Sequence, residues 1–80
     1  MKQLPFFMLG FYCHHVMNDY KKAKKLYKEA MKRTEFTLGS FNMLLAIYLH
    51  EFTFGNQDIT KIRQKISALE TMFDHFLKYD

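Results

Sequence analysis

Cys13, His14 and His15 form the one run of potential metal ligands in this chain of 80 residues. Adjacent helical residues point about 100° apart, so three in a row cannot face one ion, and a helical zinc pair needs i, i+4 spacing. His50 or His75 would have to complete such a site from another segment. The plainer expectation is that Cys13 is a small buried hydrophobe, and that His14 and His15 close a helix, partly solvated. His50-Glu51 sets one acid beside one histidine, whereas general acid–base work needs groups converging from several elements. The acids Asp58, Glu70 and Asp74 fall on the polar side of a later segment. There is no nucleophile motif, and the three glycines are isolated, so no phosphate-binding loop is formed. No catalytic residue, no metal and no cofactor is expected, and the chain does not read as an enzyme.

The remaining chemistry is charge. Asp19–Arg33 holds seven basic and two acidic residues, which gives +5, while the rest of the chain carries −1. On a helix, Lys21, Lys25, Lys28 and Lys32 share one side, flanked by Lys22 and Lys24. Like charges four apart cost a few tenths of a kcal/mol per pair, and Lys25–Glu29 is the pair expected to offset this. Such a face could steer an acidic protein surface or phosphates. Only Arg33 and Arg63 could read bases in the bidentate manner, and the aromatics of this segment lie opposite the lysines. A solvated face is the plain reading, an acidic protein or peptide the next, and nucleic acid the third.

The elements that would carry these residues are helices. No stretch of any length alternates as a β-strand would. Pro5 suits a first helical turn, Asn18-Asp19 is a cap signal, and Thr37-Leu38-Gly39-Ser40 reads as a break followed by a cap. Gly55-Asn56-Gln57-Asp58 is a turn, with Asp58 or Asn56 able to cap the helix after it. The expectation is a single all-α domain over 1–80 with helices near 5–17, 19–34, 39–53 and 58–78. Short connections imply antiparallel neighbours.

Two of these helices are apolar nearly all round: Phe6 to Val16 in the first, Phe41 to Leu49 in the third. The second and fourth are amphipathic, the fourth through Ile59, Ile62, Ile66, Leu69, Phe73 and Phe76. Nearly half the chain is apolar and fourteen residues are Phe or Tyr. A domain this short hides only about 60% of the surface its unfolded chain exposes. Part of the first or third helix should therefore stay uncovered and serve as an interface.

The segment Asp19–Ala30 resembles the second helix of a tetratricopeptide repeat. Tyr20, Ala23, Tyr27 and Ala30 supply its alternation of aromatic and small residues at steps of three and four. Phe7 sits where that family has its first large aromatic, and Gly10 lies close to the small position of the first helix. Gly10 and Tyr20 are ten residues apart, one more than usual, and Glu35 stands where a proline is usual in the family. Phe41, thirty-four residues after Phe7, is followed by Leu44, Leu45 and Tyr48. This is similar to the start of a second, degenerate repeat whose last helix has isoleucines in place of alanines. The pattern is also similar to the repeats of peptide-sensing regulators of the Rap and Rgg type. Residues 23–45 further resemble a pentatricopeptide helix pair, a family that reads single-stranded RNA one base per repeat.

These resemblances imply a scaffold: a tetratricopeptide-like pair of helix hairpins, or otherwise a four-helix bundle, that binds a partner protein or peptide. The expected contact residues are Phe6, Phe7, Phe11, Tyr12, Tyr48, Phe52 and Phe54. A homo-oligomer, or a subunit of a complex, is expected. The alternatives are a small helical immunity or inhibitor protein acting on one target enzyme, and a nucleic-acid binder using the basic face from Lys21 to Arg33. Leu4–Met17 is uncharged but too short to span a bilayer, and Cys-His-His-Val-Met-Asn is no signal-peptide cleavage site. The longer run Phe36–Phe54 is interrupted by polar residues at both ends. No membrane span is expected, and a lone cysteine fits a reducing, cytoplasmic setting.

Overall fold

The computed structural model describes residues 4–55 and 58–77. It is all-α with four helices: α1 (Phe6–His15), α2 (Tyr20–Lys32), α3 (Thr37–Phe54) and α4 (Ile59–Leu77). Among the described residues, no helix is long and apolar enough to cross a membrane.

Each helix starts and stops for a local reason. Pro5 precedes α1 with extended ψ, and its carbonyl accepts from Leu9 N at 3.1 Å. The free Phe6 N–H donates to Glu35 Oε1 at 2.7 Å, so a carboxylate from the α2–α3 connection caps α1 and meets the positive end of its dipole. α1 ends two residues sooner than expected. Asn18 turns into the left-handed region at φ 55°, which Asn tolerates better than most residues. The N–H of Asp19 then returns to the Cys13 carbonyl at 2.8 Å. Asp19 caps α2 as expected, its Oδ1 accepting from Lys22 N at 3.1 Å.

The break between α2 and α3 is not where the sequence pattern places it. It falls at Thr34-Glu35-Phe36, where Thr34 has φ 54° and Phe36 φ 46°. Thr34 N donates to the Met31 carbonyl and Glu35 N to that of Ala30, at 3.0 and 2.8 Å. This double closure usually uses glycine at the left-handed position, so threonine hides it from a sequence reading. Gly39 and Ser40, expected to break and cap, lie inside α3. Ser40 is fully buried, its hydroxyl donating to the Glu35 carbonyl at 3.4 Å. α4 is capped by Asp58, whose Oδ1 accepts from Thr60 N at 3.0 Å. The rival cap Asn56, with Gln57 of the same turn and the expected end at Lys78, lies outside the described residues.

The helices pack in chain order: α1 on α2, α2 on α3, α3 on α4, with a lighter contact between α2 and α4. The Cα extents are 41 × 32 × 13 Å. α1 and α4 make no substantial contact with each other, so the helices form a flattened row, a slab, rather than a closed two-by-two bundle. α2 and α3 occupy its middle and supply most of the core: Ala23, Tyr27, Ala30 and Met31 from one, Leu44, Ile47 and Tyr48 from the other. α1 adds Cys13, and α4 adds Ile62 and Leu69. Phe41 stacks on Phe73 across α3 and α4, at 4.4 Å between ring centroids.

α1 reaches α2 at Gly10. A Cβ there would lie 2.9 Å from Tyr27 Cδ1 and 3.3 Å from Leu26 Cβ, so the absence of a side chain sets the approach. The small-and-aromatic face of α2 is the packing face: Ala23, Tyr27 and Ala30 are fully buried and Tyr20 is half-buried.

Candidate functional site

Because α1 packs mainly against α2, its opposite side is open. Gly10 and Cys13 are its buried residues. Leu4, Met8, Phe11, Tyr12, Val16 and Met17 are each between 43% and 61% exposed. Five of them, with Leu9, line an open hollow of about 450 Å³ that is almost wholly apolar. Leu4, Met8, Tyr12 and Val16 are spaced by four and form a ridge along the helix.

The contact residues expected from the sequence divide into two groups. Phe11, Tyr12, Phe52 and Phe54 are exposed. Phe6 is half-buried beneath the Arg33 guanidinium, 4.7 Å from its ring. Phe7 is half-buried against Tyr27 and Phe36, at 5.7 and 5.2 Å. Tyr48 requires correction: it is only 4% exposed and belongs to the core, because α3 lies between α2 and α4. The ammonium groups of Lys24 and Lys65 stand 5.9 Å from its ring. Leu4, Met8, Val16 and Met17 escaped the sequence reading, which weighted aromatics. The signal available was Gly10 and Cys13, the small residues that mark which face of α1 turns inward.

The basic face also changes. Lys21, Lys22, Lys25, Lys28 and Lys32 are exposed. Lys24 is half-buried and pairs with Glu51 of α3, which Lys65 of α4 approaches at 3.7 Å. The expected Lys25–Glu29 pair is replaced by Glu29–Arg33 at 3.2 Å, with the acid N-terminal to the base, the better orientation. A smaller hollow of about 220 Å³ is lined by Lys28, Tyr48, Lys65, Ala68, Leu69 and Met72.

The chemical candidates are only partly assembled. Cys13 faces the core, away from solvent. His14 Nδ1 lies 3.1 Å from the Tyr27 hydroxyl, and its ring stacks on His15 at 4.0 Å. Tyr20 stands edge-on to both His14 and His50, at 5.5 and 4.8 Å, and Phe54 covers His50 at 4.8 Å. Burial, then the neighbouring His15 and His50 charges, holds the His14 pKa below its ordinary value. Burial, then the Cys13 charge, pushes Tyr27 up to about 12. At neutral pH a neutral His14 can therefore accept at Nδ1 from the protonated Tyr27 hydroxyl. Glu51, the acid beside His50, is engaged by lysines. Among the described residues, no three His, Cys, Asp or Glu side chains are placed to hold a metal.

The histidine environment makes a pH prediction. His14 binds its proton less readily when folded than when unfolded. The unfolded chain therefore takes up more protons below about pH 6.5, and stability falls as pH drops through that value. Urea midpoints measured from pH 7.5 down to 5.5 should decrease. A His14→Gln variant should flatten the dependence; an unchanged slope in that variant would assign it to other groups.

No family model, no curated protein and no solved structure matches this chain.

Proposed function

We propose that this protein is a non-enzymatic interaction and assembly module, a tetratricopeptide-like pair of helix hairpins that binds a partner protein or peptide through apolar helix surface. The observation that carries this reading is the outer face of α1, an open row of large apolar side chains on a helix backed mainly by one neighbour. Contiguous exposed apolar surface of several hundred Å² marks an interaction site more often than chance. The repeat-like architecture is supported by helices packed in chain order and by the close seat of Gly10 on Tyr27.

The test sets two surfaces against each other. Affinity-tagged wild type, Val16→Lys on α1, and a Lys25→Glu/Lys28→Glu double variant are compared for the proteins and nucleic acids they retain. Val16→Lys should lose what the wild type holds, while the lysine variant keeps it. The opposite pattern, with RNA or DNA bound at low salt and released at high salt, would move the site to the basic face.

A further inference from the structure

We infer that the occupant of the α1 face is a second copy of this chain, docked α1 to α1 about a two-fold axis; this rests on the interaction-module reading. Charge is the first reason. No Asp, Glu, Lys or Arg occurs from Leu4 to Met17. A charged partner surface would bury its charges there without counterparts, a costly arrangement, whereas an identical face brings none.

Shape gives the same answer. The ridge Leu4, Met8, Tyr12 and Val16 is an i, i+4 row, and such a row packs best into the groove beside the same kind of row on another helix, at a crossing angle of about −50°. A second α1 supplies both ridge and groove, and the ridge residues with Leu9 and Phe11 on either side line one open apolar hollow that a second apolar helix would fill. Six large apolar side chains of this segment, Leu4, Met8, Phe11, Tyr12, Val16 and Met17, stand 43–61% exposed, a face on the scale of the smaller interfaces, where a standard one buries ~800 Å² per partner.

The other edge of the slab decides between closed and open assembly. The exposed middle of α4, with Arg63, Gln64, Ser67, Thr71 and Asp74, is polar, and its exposed large apolar side chains, Ile59 and Leu77, stand only at its two ends. Stacking α1 of one copy on α4 of the next would set an apolar face against a charged one. Pairing α1 with α1 closes after two copies. It gives an eight-helix array with a polar α4 at each end, as a stacked helical array requires.

Sedimentation equilibrium on the full chain tests this. The wild type should show twice the 9.7 kDa chain mass. Met8→Glu, at an exposed position, should sediment as a single chain with an unchanged far-UV spectrum. Tyr12→Lys provides a second, independent substitution in case the first impairs folding. Wild type at 9.7 kDa throughout, a species larger than two copies, or folded variants that remain dimeric would each overturn the inference. A monomer that holds a different protein, and loses it in Met8→Glu, overturns the second copy but leaves the interaction module standing. A monomer with no α1-dependent association overturns both.

Discussion

Replacing Tyr27 by alanine is expected to destabilise the protein by about 3–5 kcal/mol, the range for removing a buried aromatic. Eighty residues at ~0.05–0.15 kcal/mol each give a total stability of only about 4–12 kcal/mol. The variant should therefore have a urea midpoint at or near zero, or lose helical signal outright at 25 °C. Tyr27 is fully buried. Its ring meets Phe7 at 5.7 Å and His14 at 5.8 Å, and Gly10 seats directly on it. It therefore joins α1 to the centre of the slab. Tyr27→Phe separates ring from hydroxyl. It keeps the packing and loses only the bond to His14, so it should cost about 1 kcal/mol. A Tyr27→Ala midpoint close to wild type would show that α1 is not held through this ring.

That ring was legible in the sequence because it belongs to a periodic pattern of large and small residues, and periodic patterns report burial directly. The four helices were legible for the same reason. The α2–α3 break was not, because its left-handed positions are filled by Thr34 and Phe36. Glycine and a serine cap are the usual signals, and Gly39-Ser40 offered both in the wrong place. Glu35 illustrates a further limit: its carboxylate caps α1 from twenty-nine residues away, which no local pattern encodes. The site was half legible. An all-apolar α1 announced that some surface would remain uncovered, but which side depends on α1 packing mainly on α2. Tyr48 was misplaced for the converse reason: α3 is as apolar as α1, yet it has neighbours on two sides. Lys24 left the basic wall because Glu51, one helix away, lies within reach.

Substituting Gly10 by valine is expected to cost about 2 kcal/mol and to act on α1 alone. The new Cβ would lie 2.9 and 3.0 Å from Tyr27 Cδ1 and Cε1. A fully buried ring cannot move aside, so the helix must, at the ~1–3 kcal/mol typical of overpacking. Leaving glycine in a helix interior returns only part of this, a few tenths of a kcal/mol for a β-branched residue. α1 has no other substantial neighbour, so displacement from α2 frees it as a unit. Its lack of polar patterning and its ten-residue length leave it little helical stability of its own. Hydrogen exchange should show the amides of α1 losing protection first, while those of α3 and α4, joined by Leu44, Ile47 and Leu69 in the core, remain slow. Gly10→Ala should fall between, since its single methyl makes the same close contact but recovers about 1 kcal/mol of helix propensity. The dimerisation proposed for the α1 face should disappear in Gly10→Val even though no residue of that face has changed. Uniform loss of protection across all four helices would instead show that α1 folds cooperatively with the rest, and the edge-helix account of the open apolar face would fail.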